Sequence, residues 1–213
     1  MTAELSDSLT QLRDMVTGLG QTVVMSLNDC VQALAERELA KAEDIHLRES
    51  DVDRVSEKIQ EECHRLLENP PPPGRDLRYV LRSLKIASDL ERLADECDEV
   101  AQDVHTLSHT DLAAAVPTGL MGQAKVVRSM AREAMRALQQ FDAEAARSVV
   151  ARDEEADLQH AQIYRETKER LVGRRDLVDE LIACQRMSRA LERIGDHAVN
   201  IAEDVLFIVG QPK

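Results

Sequence analysis

Four pairs of carboxylates stand four residues apart in this chain: Glu49 with Asp53, Glu91 with Asp95, Asp153 with Asp157, and Glu192 with Asp196. On a helix, residues at that spacing share one face with β-carbons about 5–6 Å apart, so two like charges there repel by roughly 0.2–0.5 kcal/mol. Antiparallel helices carrying one pair each would gather about four carboxylates around a shared point, a donor set for one or more cations. Oxygen-rich, sulfur-free ligands suit Mg, Ca, Mn or Fe better than structural zinc. The competing account is a solvated acidic stripe, because a chain with 40 Asp and Glu residues contains some such pairs by chance.

A duplication favours the first account. Laid on itself at an offset of 104, the chain aligns Ala33-Leu34 with Ala137-Leu138, Arg48 with Arg152, Asp53 with Asp157, Ile59 with Ile163 and Leu67 with Leu171. Beyond the turns at Pro70 to Gly74 and at Gly173 the offset falls to 101. There Leu90-Glu91-Arg92-Leu93-Ala94-Asp95 lies over Leu191-Glu192-Arg193-Ile194-Gly195-Asp196, and Ala101, Asp103 and Val104 lie over Ala202, Asp204 and Val205. A repeat of this length is one supersecondary unit copied whole. All four carboxylate pairs occupy corresponding positions in its two copies.

The elements that must position these acids are helices. Punctuation is confined to Pro70 to Gly74, a stretch from Thr106 to Gly122 containing Pro117, Gly173, and the tail from Gly210. Between these marks three helical segments are predicted in each copy, over 5–37, 38–68 and 76–106, then 119–140, 142–172 and 176–208. The fold class is all-α, two tandem homologous three-helix bundles, with a first repeat over residues 1–108 and a second over 109–213. In the third helix of each copy, Ile86, Leu90, Leu93, Cys97, Val100 and Val104 step by 4, 3, 4, 3, 4, and Met187, Leu191, Ile194, Ala198, Ile201 and Val205 repeat those steps. Such a seam is what a bundle helix buries, and Glu91, Asp95 and Glu99 point away from it. Asp76, Asp142 and Asp176 each follow a break and precede an apolar-periodic run, as helix N-caps do.

Composition agrees and excludes other classes. Two Tyr, two Phe and no Trp leave a core of Leu, Val, Ile, Ala and Met, with 31% charged residues, as in long helices and bundles. A net charge of −13 without aromatic platforms argues against nucleic-acid binding. The first 108 residues carry 23 acids against 12 bases, so the acidity sits mainly in the first copy. Cys30, Cys63, Cys97 and Cys184 form no Cys-x-x-Cys pair and read as reduced, mostly buried thiols. Neither a signal-like start nor an 18-residue apolar run is present, which predicts a soluble cytoplasmic protein without membrane insertion.

The run Glu192-Arg193-Ile194-Gly195-Asp196-His197-Ala198-Val199-Asn200 resembles the signature of the PhoU family, a Glu-Arg-x-x-Asp-x-x-x-Asn pattern on the third helix of a three-helix unit. Glu91-Arg92-Leu93-Ala94-Asp95 matches its beginning, with Glu99 where the signature has Asn. The resemblance implies a non-enzymatic, phosphate-responsive regulator. It would link the ATPase of a phosphate ABC transporter to a phosphate sensor histidine kinase and damp the phosphate-starvation response, usually as a homodimer. It also implies metal centres of iron, zinc or other divalent ions held by the four pairs. The expected ligands are Glu49, Asp53, Glu91, Asp95, Glu99, Asp153, Asp157, Glu192, Asp196 and Asn200, with His197 as an auxiliary. Arg92 and Arg193 would brace acids on a neighbouring helix or face a partner, the alternative being a surface ion pair worth at most about 1 kcal/mol.

Two rivals remain. A carboxylate-bridged di-iron enzyme uses Glu-x-x-His pairs, and Glu43/His46 and Glu61/His64 have that spacing. Their counterparts are Arg147/Val150 and Arg165/Lys168, so chance accounts for them better. A metal-free helical adaptor would need no clustering of charge at equivalent positions, which the repeat disfavours.

Overall fold

The computed structural model describes residues 3–36, 38–68, 70–107 and 116–211. Three long helices form the first copy: α1 (Ala3–Glu36), α2 (Leu39–Glu68) and α3 (Gly74–Leu107). The second copy comprises α4 (Leu120–Gln140), α5 (Ala143–Val150), α6 (Asp153–Gly173) and α7 (Val178–Val209), with a short 3-10 turn (Arg175–Leu177) before α7. The described residues contain no strand. The boundary predicted at 108/109 lies outside the described residues.

Both predicted seams are buried throughout, from Ile86 to Val104 and from Met187 to Val205. Each copy packs its helices on one another, and α3 also packs along α7 more extensively than any other pair of helices meets. The result is one continuous core across both copies, centred on side chains such as Leu12, Leu27, Ile59, Ile86, Leu90 and Met187. Removing each such side chain from water contributes roughly 1.5–3 kcal/mol. The four cysteines lie in this interior as free thiols, and burial pushes those of Cys63 and Cys184 up to about 12.

Three local expectations are revised. The segment predicted as one helix over 142–172 is two, α5 and α6, divided at Ala151 and Arg152. Asp176 caps nothing: it sits within the 3-10 turn, and the Arg174 guanidinium, 2.8 Å away, holds its carboxyl below the usual carboxylate range. Asp76 falls inside the first turn of α3, where Arg13 pairs with it at 2.8 Å. In both cases an arginine, two residues away or on a neighbouring helix, pairs with the carboxylate, and that of Asp176 also accepts from its own amide. Asp142 does cap α5, accepting from the amides of Glu144 and Ala145 at 3.0 and 3.1 Å. Just before it, Phe141 closes α4 in the left-handed region (φ 52), a conformation costing an ordinary residue roughly 1–2 kcal/mol. Its ring meets Tyr79 edge-on at 5.8 Å and lies under the guanidinium of Arg75 at 4.8 Å, contacts that offset this strain.

Candidate metal centre

The helices place the carboxylates by one rule in both copies. The second-helix acids stand on α2 and α6, the third-helix acids on α3 and α7, and each pair of helices packs together. Arg48 and Arg152, equivalent in the repeat, reach back towards the first helix of their copy, donating to Ser26 and Ser129 at 3.3 and 3.1 Å. They hold the second helix with its acids turned towards the third.

In the second copy one oxygen from each of Asp153, Asp157 and Asp196 lies within 4.8 Å of the others. The break at Ala151-Arg152 makes Asp153 the first residue of α6, where a negative charge is favoured by the exposed amides of the helix start. Burial raises the carboxyl of Asp153, and the charges of Asp157, Glu192 and Glu203 raise it further. Asp196 is pushed up to about 6, first by burial and then by Glu192, Asp153 and Asp157, with His197 acting weakly in the opposite direction. Four predicted residues therefore share one electrostatic site. Glu203, two turns beyond Asp196 on α7, joins them; it was not foreseen because Gln102 occupies its place in the first copy.

The first copy gathers its set more loosely. Burial raises the carboxyl of Asp95, followed by the fields of Asp53, Glu49 and Glu91, while Arg92 lowers it. Glu91 also accepts a hydrogen bond from Ser56 at 2.8 Å. Here the compact group is a different one, His46, Glu49 and Asp98. Glu99 is exposed and adds its field to those on Glu96 and Arg186.

Asn200 and His197 turn to the interface between the copies. Asn200 donates to Asp89 at 3.3 Å, and His197 Nδ1 stands 2.9 Å from the same oxygen. Arg193 pairs with Glu96 at 2.8 Å, and Arg186 pairs with Asp103 through two nitrogens. At the far end Arg82 and Lys85 reach Asp204 at 3.1 and 3.5 Å. Asp89, Glu96 and Asp103 recur every seven residues on α3, and Arg186, Arg193 and Asn200 do so on α7. This is the register of two antiparallel helices meeting along one seam. Sequence reading passed over these buried acids because it weighed spacing four, not spacing seven. Arg193 does brace an acid on a neighbouring helix, as expected, and that acid lies across the copies.

Chemically, the second-copy site is a set of oxygen donors gathered against their own repulsion, and the fields on Asp153 come from carboxylates alone. Such a set fits a hard or borderline cation, which would replace mutual repulsion by attraction.

Comparison with known proteins bears on the whole chain. The model of the PhoU domain matches residues 16–104 and again residues 120–205. A phosphate-specific transport system accessory protein PhoU homolog from Pseudomonas putida is 30% identical over 209 residues, covering 97% of this chain and 80% of that protein. A homolog of the same name from Pseudomonas aeruginosa is also 30% identical, covering 97% and 84%. The crystal structure of PhoU from Pseudomonas aeruginosa superposes with a TM-score of 0.90 at 30% identity, over 96% of this chain and 98% of the other. The phosphate transport system regulatory protein PhoU from Streptococcus pneumoniae does so with 0.84 at 27% identity, over 97% of each. A duplicated three-helix unit, two matches to one domain model and near-full-length relatives of the same fold lead to one assignment: the chain belongs to the PhoU family.

Proposed function

We propose that this protein is an accessory regulator of phosphate transport that carries metal ions on its paired carboxylates. It would relay the state of a phosphate ABC transporter, through contact with the ATPase, to a phosphate sensor histidine kinase, and damp the starvation response when phosphate is plentiful. The relatives' names supply the transport link. The kinase partner, the negative sign of regulation, a homodimeric state and a cytoplasmic location follow from the family resemblance. No helix among the described residues is long and apolar enough to cross a membrane, in keeping with a protein that acts on a transporter from outside the bilayer.

The observation that carries the metal reading is the convergence of Asp153, Asp157 and Asp196 within 4.8 Å, with Glu192 raising two of them. Asp153, Asp157, Glu192 and Asp196 would hold an ion in the second copy; Glu49, Asp53, Glu91 and Asp95 would do so in the first. Iron, manganese, magnesium, calcium and zinc are all compatible with carboxylate donors. No catalytic residue is assigned.

Elemental analysis of protein purified without chelator tests the metal reading, beside a variant with Glu91, Asp95, Glu192 and Asp196 all changed to Ala. Bound metal in the parent and its loss in a variant that keeps its helicity is the expected result. Absence of metal, with no uptake on supply, would return the acids to solvated faces and favour a metal-free adaptor. The regulatory reading is tested by deleting the gene and following a phosphate-starvation reporter in phosphate-rich medium, where expression is expected to rise.

A further inference from the structure

His46, Glu49 and Asp98 bring one ligand atom each within 4.8 Å of the others. Two of the three lie outside the duplicated carboxylate pairs. His46 Nδ1 is 3.5 Å from Glu49 and 3.3 Å from Asp98 Oδ1, at the crossing of α2 and α3. Asp98 is 6% exposed. Its Oδ2 accepts from Gln102 at 2.7 Å, but its buried Oδ1, aimed at the group, accepts no hydrogen bond.

The second copy shows what this place holds when it is only structural. The counterparts of His46 and Asp98 are Val150 and Val199, which pack partly buried against the core. The first copy has thus exchanged two core-packing valines for an imidazole and a buried carboxylate, while keeping an acid at 49 where the second has Asp153. Burying a carboxylate in place of a methyl pair is unfavourable unless positive charge meets it, and the group that faces Asp98 Oδ1 is the His46 ring, 3.3 Å away. His46 is largely exposed and reaches the group from the solvent side through Nδ1.

We infer that His46, Glu49 and Asp98 form a transition-metal site peculiar to the first copy, taking zinc or a similar divalent ion through one imidazole nitrogen and two carboxylate oxygens. Imidazole donors select zinc, iron, nickel or copper over magnesium and calcium, so this site differs in preference from the all-oxygen set of the second copy. Glu49 is shared with the first-copy carboxylates of the proposed function; His46 and Asp98 are independent of them.

The test uses the full chain, stripped with chelator and titrated with Zn²⁺ by calorimetry, while the His46 ring is followed by ¹H–¹⁵N NMR. His46→Val and Asp98→Val restore the residues of the second copy at these positions, so both variants are expected to fold, with helicity as the check. A third variant carries Asp153→Asn, Asp157→Asn and Asp196→Asn. One Zn²⁺ site in the parent should move the His46 resonances, weaken by more than about 100-fold in each valine variant, and persist in the triple variant; outer ligand partners alone are worth about 10–100-fold. Equal Zn²⁺ affinity in parent and His46→Val, or unmoved His46 resonances at saturation, would overturn the site and leave a His46–Asp98 ion pair. Loss of the His46-dependent site in the triple variant would overturn its independence. If that site persists while the second-copy acids bind nothing, the inference stands and the metal reading of the carboxylate pairs fails.

Discussion

Replacing Asp196 by Asn should change the sign of its effect with metal. The carboxyl of Asp196 rises from an ordinary 3.8 to about 6 in the folded chain, chiefly through burial and then the three acids around it. A carboxyl raised on folding favours the native state while protonated, so its contribution is complete below pH 3.8 and is lost as pH climbs through about 6. At 1.36 kcal/mol per unit a wholly buried group would lose about 3 kcal/mol; Asp196 is exposed enough for solvent to screen this to about 1 kcal/mol. An asparagine in its place resembles the protonated acid. In chelator above neutral pH, Asp196→Asn is therefore expected to be more stable than the parent by about 1 kcal/mol in urea unfolding, the difference fading as the pH approaches 4. With Mn²⁺ at about 100 times its Kd the parent gains about 2.7 kcal/mol that the variant lacks, and the order inverts. A variant less stable than the parent in chelator, or an order that Mn²⁺ leaves unchanged, would refute the account of these acids as a repulsive, metal-ready set.

Other perturbations probe the frame around the site. Arg193→Met leaves Glu96, only 2% exposed, without its partner. Stranding a buried charge costs up to about 3–5 kcal/mol; a half-exposed arginine and a carboxyl that can protonate lower this to about 1–2 kcal/mol. Burial already raises the Glu96 carboxyl and Arg193 holds it down, so the loss should grow with pH, and Glu96→Leu in the same chain should recover most of it in chemical unfolding. Asp142→Ala removes the cap of α5 and should cost about 1 kcal/mol in thermal unfolding, with metal content unchanged. Gly20 abuts Met135, whose Cε would lie 2.0 Å from an added Cβ. Gly20→Ala should therefore be neutral or destabilising alone, yet stabilise by about 1 kcal/mol relative to a Met135→Ala parent, where helix propensity acts without the clash.

Much of this architecture was legible in the chain because it depends on local periodicity. The seams of α3 and α7 follow from apolar steps of three and four, and five of the six predicted segments agree with the observed helices to within about two residues at each end. The sixth failed at Ala151-Arg152 because nothing in those residue types forbids a helix. The convergence of Asp153, Asp157 and Asp196 was also readable, since the repeat put equivalent acids on helices that a short turn must make antiparallel.

The site in the first copy shows the limit of such reasoning. His46 looked incidental when paired along its own helix with Glu43; its partners are Glu49 one turn on and Asp98 across the bundle. Likewise Glu96 and Asp103 read as general acidity until α3 was seen to lie along α7, with Arg193 and Arg186 facing them. The sequence by itself determined the helices, the duplication and which face of each carries carboxylates, because these rest on residue spacing along a regular coil. Only the tertiary structure decided how the two copies meet and which charges that contact buries. The energy of a buried charge depends on neighbours far away in the chain, and no local pattern records them.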